Sequence, residues 1–218
     1  MQHALLSERN IDHTLAVSDR RLFPETLCPQ QVHGTEVAIP DQRGRLSVME
    51  ADAVVCRQPG MGVGVITADC VPILAALGGG RVVAAIHAGW RGLASGVVEK
   101  GLQKLLGDAK PGEDRVAVIG PHIGPCCYEV DKPVLEALMP RYADWLDEAC
   151  QTSRPNHVRL DLGKVVALIL SAAGFRADQI GQVPDSCTSC SGDHFHSFRR
   201  DGEAAGRMLH RIAVTRSA

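Results

Sequence analysis

Aromatic residues are scarce in this 218-residue chain, with Phe, Trp and Tyr together making up 4% of it. The interior must therefore be filled by Val, Leu, Ile and Ala, within a hydrophobic content of 45% that is ordinary for a globular protein. An excess of charge is lacking as well. Lys and Arg number 23 against 25 Asp and Glu, so there is no basic field to draw in a nucleic acid or a membrane surface. No apolar run approaches the roughly 20 residues that a bilayer-spanning helix needs. Residues 1–12 are polar and lack the apolar core of a secretory leader. Without a leader, eight cysteines read as reduced thiols in a cytoplasmic chain more readily than as a disulfide framework. No internal repeat, low-complexity tract or long linker breaks the chain, so residues 1–218 read as a single domain with enough material for a real core.

Residues 1–30 carry mixed charge and weak periodicity, and no organisation emerges there. From Gln31 onward the pattern sharpens. Short runs rich in Val and Ile at 36–39, 53–56, 62–67, 72–77 and 82–87 read as strands, with Gly or Pro between several of them. Leu93, Val97, Val98, Leu102, Leu105 and Leu106 then recur at helical spacing, and Gly107 stands where that helix ends. A strand at 116–119, helices at 134–138 and 162–173 with Gly174 as the cap, and strands at 179–183 and 209–214 complete the reading. Several strands precede the first clear helix, so simple βαβ alternation fails. The order suits a mixed or antiparallel sheet with helices packed outside, an α+β fold.

Three segments place metal-capable side chains where a strand ends: Gln31-Val32-His33-Gly34, Thr67-Ala68-Asp69-Cys70 and His87-Ala88-Gly89-Trp90-Arg91-Gly92. Two imidazoles and a thiol suit a three-ligand zinc site that keeps a fourth position open, and copper accepts the same donors. Their wide spacing is unlike that of a zinc finger. Taken singly, each His reads as a satisfied polar residue and Cys70 as a small buried hydrophobe. Gly60, Gly62 and Gly64 are no dinucleotide fingerprint, because no helical pattern follows them.

The other cysteines compete for a metal. Cys187 and Cys190 form a C-x2-C pair that Cys126 and Cys127 would complete as a four-thiolate site, and His194 and His196 form one H-x-H. Adjacent cysteines seldom point the same way, however, and a second C-x2-C is absent. Loop thiols near a polar surface are the plainer reading. Residues 120–125 form a proline-constrained loop that holds Tyr128 and Glu129 in place. Arg199, Arg200 and Arg207 concentrate guanidinium groups suited to phosphate or carboxylate, or else form a solvated face paired with Asp201 and Glu203.

Taken in order, Gln-Val-His-Gly at 31–34, Thr-Ala-Asp-Cys at 67–70 and His-Ala-Gly-Trp-Arg-Gly at 87–92 form a recognisable series. It continues with Ile-Gly-Pro-Cys-Cys-Tyr-Glu-Val at 123–130, Cys-Thr-x-Cys at 187–190 and Phe-His-Ser-Phe-Arg-Arg-Asp-Gly from 195. The chain resembles the YfiH type of purine nucleoside phosphorylase, a family also catalogued as multicopper polyphenol oxidase or laccase-domain proteins. The match runs from about residue 31 to about 208. The family's Ser-Thr-Arg-x-Gly-Gly and Asn-Leu-Gly stretches are not found in residues 1–30, which read as a shortened or divergent N-terminal segment. The resemblance implies mixed β-sheets in a sandwich flanked by helices, similar to the catalytic domain of cytotoxic necrotizing factors. It also implies that His33, Cys70 and His87 bind zinc.

The implied activities are phosphorolysis of adenosine, inosine, guanosine and methylthioadenosine, and deamination of adenosine. The implied partners are a purine nucleoside and phosphate, bound by a monomer or homodimer. Deamination needs a carboxylate to move protons beside an acidified water, and Asp69 and Glu129 are the candidates. Asp69 would point away from Cys70 if both lay in a strand. Arg91, Arg199 and Arg200 are the expected phosphate clamps. Two other chemistries use the same residues: Cys70 and His87 as a nucleophile–base pair in an amidase acting on peptidoglycan precursors, and copper oxidation of phenols. The second lacks the several H-x-H pairs that a trinuclear copper cluster requires. A metal-stabilised binding domain without activity is the remaining alternative.

Overall fold

A computed structural model of the chain describes residues 1–216. Helix α1 (Ala4–Ser7) is followed by strands β1 (His13–Val17), β2 (Val37–Ala38), β3 (Ala53–Cys56), β4 (Gly62–Thr67), β5 (Val71–Leu77) and β6 (Val82–Ala88). Helices α2 (Trp90–Ser95) and α3 (Val97–Leu106) come next, then β7 (Arg115–Ile119), β8 (Glu129–Asp131) and α4 (Lys132–Ala149). The remainder is β9 (Cys150–Thr152), β10 (His157–Leu160), α5 (Leu162–Ala172), β11 (Ile180–Gln182), α6 (Phe198–Asp201) and β12 (Met208–Ala213).

Six strands form the central sheet in the order β11-β7-β5-β6-β3-β2, antiparallel in the middle and parallel at both ends. Alternate side chains of a strand face opposite ways, and this sheet buries both faces. Ala53, Val55, Ile73, Ala75, Ala84 and Ile86 pack with Leu93, Val98, Leu102, Val166 and Leu170 of the helices. Val54, Leu74, Ala76, Val83 and Ala85 pack with Leu15, Val63, Val65 and Ile212 of a second sheet, β1-β12-β4. Two buried faces explain why β3, β5 and β6 read as near-continuous apolar runs instead of polar–apolar alternation. The mixed sheets packed face to face and flanked by helices are those the sequence led us to expect.

Several local expectations need correcting. The helix carrying Leu93 to Leu106 is two helices, broken where Gly96 takes a φ of +89°. The helix expected at 134–138 extends over Lys132–Ala149, past Pro140, with a kink at Tyr142. By contrast, Gly174 ends α5 as expected: it takes a φ of +87° just past Ala173, its N–H donates to the Ser171 carbonyl and that of Phe175 to the Leu170 carbonyl. The small antiparallel sheet β8-β10-β9 was not foreseen. Residues 1–30 are organised after all: β1 pairs with β12, and Leu6, Ile11 and Leu15 are buried.

Two topological facts position the site. The chain leaves the second sheet at the end of β4 and enters the central sheet at β5, so residues 68–70 form the bridge between the layers. In the central sheet Pro72 faces His87, and Ala53 faces Ile86. Cys70 and Asp52 therefore flank the same end of β6 from opposite sides.

Candidate metal centre

His87 lies near the end of β6, buried, and the N-terminal ends of β3 and β5 lie beside it. Cys70 ends the bridge between the sheets and is half-buried, while exposed His33 comes from the loop before β2. One ligand atom from each of His33, Cys70 and His87 falls within 4.8 Å of the others. The two imidazoles meet edge to face with centroids 4.8 Å apart, and His33 Nε2 is 3.8 Å from Cys70 Sγ. His33 takes a φ of +58°, and Asp69, just before Cys70, a φ of +92°. Such conformations cost non-glycine residues of order 1–3 kcal/mol and persist where the surroundings over-determine them. Gly89 is required by closeness: a Cβ there would sit 2.8 Å from Cys70 Sγ and 2.9 Å from His33 Cδ2.

Asp52, which the sequence did not single out, organises this corner. It is fully buried. His87 Nδ1–H donates to its Oδ1 at 2.7 Å, and the backbone N–H groups of Val32, His33 and Gly34 donate at 3.2, 3.0 and 2.7 Å. One carboxylate thus fixes the His87 ring and the His33 loop together. With Nδ1 committed, the Nε2 atom of His87 is left for Cys70 or a metal, the carboxylate–histidine pairing common behind metal ligands. The signal available in the sequence was a carboxylate directly before the apolar run of β3.

The charges agree with this arrangement. Burial pushes the Cys70 thiol up, but hydrogen bonds from His33 and His87 outweigh it and bring the group down to about 6. Burial pushes His87 down, yet Asp52 and Cys70 outweigh that and raise it to about 9. Cys70 is then a thiolate at neutral pH beside a cationic His87. A thiolate and two imidazoles on a half-open corner suit a borderline-soft divalent ion with one coordination position left over.

The centre opens into a cleft of about 960 Å³ lined by, among others, Arg20, Gln31, Asp69, Trp90, Arg91, Tyr128, Phe198, Arg199 and Arg207. Asp69 lies in the bridge, outside either strand, so the strand alternation that would have turned it away from Cys70 does not apply. Its carboxylate accepts from Thr188 Oγ1 and from the backbone N–H of Arg199, both at 2.6 Å. Arg91 stacks on Trp90 with its guanidinium 4.3 Å from the ring centroid, and Arg199 stacks on Tyr128 at 5.1 Å. Burial, reinforced by the charge of Cys70, pushes the Tyr128 phenol up to about 12.

Two residues expected at the site do not line the cleft. Glu129 turns its carboxylate to Ser153 and Arg154. Arg200 donates to the carbonyls of Thr188, Ser189, Gly192 and Phe195 and pairs with Asp201, knitting its own loop together. Arg20 and Arg207 take places on the cleft wall instead. Residues 1–30 offer no periodicity in the sequence that would locate Arg20. Among the described residues one further group has metal-ligating geometry: Cys126, Cys127, Cys187 and Cys190. His194 and His196 belong to neither group.

Comparison with known proteins adds a family. Residues 8–215 match the family model described as multi-copper polyphenol oxidoreductase laccase. Over 216 residues the chain is 34% identical to the purine nucleoside phosphorylase YlmD of Geobacillus stearothermophilus, covering 91% of this chain and 78% of that one. It is 31% identical over 215 residues to the adenosine deaminase RL5 from an unknown prokaryotic organism, covering 91% and 82%. The crystal structure of the hypothetical protein YfiH from Bacillus licheniformis superposes with a TM-score of 0.79 at 30% identity, covering 88% of this chain and 74% of that one.

Proposed function

The chain belongs to the multi-copper polyphenol oxidoreductase laccase family, and within it we propose a zinc-dependent enzyme of purine nucleosides. The reading comprises phosphorolysis of adenosine, inosine, guanosine and methylthioadenosine, and deamination of adenosine. The observation that carries it is the convergence of His33, Cys70 and His87 to within 4.8 Å on the wall of a cleft large enough for a nucleoside. Relatives named for phosphorolysis and for adenosine deamination support the substrate class.

In this reading His33, Cys70 and His87 hold the ion, and Asp52 keeps His87 in the tautomer that presents Nε2. When bound, the ion supplies Lewis acidity at a fourth position that three protein ligands leave open. Copper accepts the same donors. Arg91, Arg199, Arg207 and Arg20 give the cleft a positive wall for phosphate, the nucleophile of phosphorolysis. Trp90, Tyr128 and Phe198 offer faces on which a purine can stack. Asp69 is the carboxylate on the cleft wall that can hold a proton during deamination, since each of its oxygens has a lone pair beyond its present bond. Glu129 and Arg200 hold loops in this scheme. The proposal includes a cytoplasmic location and a monomer or homodimer.

Incubating the purified protein with adenosine, with and without phosphate, tests the reading. Adenine formed only with phosphate, together with inosine or hypoxanthine, is the expected result. No turnover by zinc-replete protein under either condition would reject it.

A second reading rests on the Asp52–His87–Cys70 chain of contacts, which without a metal has the order of a carboxylate–imidazole–thiolate triad. Such a group would serve an amidase acting on peptidoglycan precursors. Alkylation distinguishes the two. Resistance of Cys70 until a chelator is added supports the metal enzyme, whereas equal reactivity before and after supports the amidase.

A further inference from the structure

β7 and β11 are parallel neighbours, with Ala117 opposite Ile180 and Ile119 opposite Gln182. The loops that follow them leave from the same end of the sheet and stay together. Val183 N–H donates to the Ile119 carbonyl, His122 bridges to Cys187, and Thr188 N–H donates to the His122 carbonyl at 3.0 Å. The first loop carries Cys126 and Cys127 and the second carries Cys187 and Cys190. Their four sulfurs all lie within 4.8 Å of one another, with Cys126 and Cys190 3.5 Å apart.

The vicinal pair was the objection to this arrangement in the sequence, because neighbours in an extended chain face opposite ways. The backbone removes it. Cys127 and Tyr128 both donate their N–H groups to the Gly124 carbonyl at 3.0 Å, so residues 124–127 form a tight turn. Successive side chains then diverge by about 100° instead of 180°, and both thiols reach the same point.

We propose that Cys126, Cys127, Cys187 and Cys190 hold a structural zinc ion that clamps the loop after β7 to the loop after β11. Zinc–sulfur bonds of about 2.3 Å at tetrahedral angles put the sulfurs about 3.8 Å apart, a spacing compatible with four thiols that lie within 4.8 Å of one another. Four soft donors select zinc over magnesium or calcium, and four protein ligands leave no open position for substrate. Each thiol gives up its proton on binding, so the clamp carries a net charge of about −2. The Gly124 N–H donates to Cys187 Sγ at 3.3 Å, a bond that stabilises a ligating thiolate. Thr188, inside the C-x2-C loop, donates its hydroxyl to Asp69, the neighbour of Cys70. The clamp therefore holds one wall of the catalytic cleft without touching the ligands of the first centre.

Elemental analysis of the full chain purified with zinc and a thiol reductant tests this. Two zinc ions per wild-type chain are expected, and one is expected to remain in the His33→Ala/His87→Ala variant. X-ray absorption at the zinc edge of that variant should fit four sulfurs and no nitrogen. The Cys126→Ser/Cys190→Ser variant should also keep one zinc, bound by nitrogen and a single sulfur. A wild-type chain with one zinc, lost in His33→Ala/His87→Ala, would overturn the clamp while sparing the first centre. One zinc that survives in that variant with all-sulfur ligation would do the reverse. A mass lowered by two hydrogens per bridged pair, or an iron–sulfur absorption band, would overturn the zinc assignment in favour of a disulfide or a cluster. The wild-type count does not depend on any variant folding.

Discussion

Asp52 Oδ1 accepts the Nδ1 proton of His87 at 2.7 Å while the same carboxylate takes three backbone N–H groups from the loop carrying His33. Neither contact is with a metal, yet both set where two of the three proposed ligands point. Replacing Asp52 by Asn keeps the size but offers one accepting oxygen and an amide that faces N–H donors. Zinc affinity at the first centre is expected to fall about 10- to 100-fold, measured by competition with a chelator, with the Asn variant less affected than Ala.

The opposed shifts of Cys70, to about 6, and His87, to about 9, predict how zinc binding depends on pH. Below about pH 6 the ion must displace a proton from each of these groups; between about 6 and 9 it displaces only that of His87; above that, neither. Their combined contribution to the slope of log affinity against pH should thus fall from about 2 to about 1 and then to zero. In the metal-free protein, the sign for stability follows the same shifts. The depressed Cys70 contributes stability that is lost as pH falls through about 6, and the raised His87 contributes stability that is lost as pH rises through about 9. Alkylation of Cys70 in chelated protein, followed against pH, should show a midpoint near 6. A midpoint near the ordinary thiol value would contradict this picture.

Gly89→Ala adds a methyl group 2.8 Å from Cys70 Sγ and 2.9 Å from His33 Cδ2. Overpacking of this kind costs about 1–3 kcal/mol, and here the strain falls on two ligands. The variant should fold with a lowered Tm and lose most of its affinity for zinc at the first centre. Retention of full affinity would show that the corner is looser than the structure has it.

Arg91 stacks on Trp90, lines the cleft, and has no carboxylate partner among the described residues. Removing a hydrogen bond to a charged group costs about 1.5–3 kcal/mol, so Arg91→Ala should raise the KM for phosphate about 10- to 100-fold. Deamination, which uses no phosphate, should be affected much less. Equal losses in both reactions would assign Arg91 to the nucleoside instead.

Much of the central sheet was legible because β3, β5 and β6 are buried on both faces and so appear as dense apolar runs. The motifs around His33, Cys70 and His87 were legible as strand ends, but their convergence was not, because it depends on β4 and β5 lying in different sheets. β1 was hidden for a related reason. It pairs with β12 at the far end of the chain, and Thr14 faces Arg211 with a register shift before Val17. The length of α4 was masked by Pro140, which sequence rules treat as a stop but which here sits before a kink at Tyr142. Asp52 acts only through His87 and backbone amides, a role that no spacing encodes. Extended-chain alternation would separate Cys126 from Cys127, whereas the turn at 124–127 gives them the divergence of a helix.

Anomalous diffraction at the zinc edge, from crystals of zinc-loaded protein, tests the first centre most directly. The account predicts a peak bonded to Cys70 Sγ, His87 Nε2 and His33, with a non-protein atom in the fourth position. A map without density there, in crystals grown with zinc and reduced thiols, would contradict it.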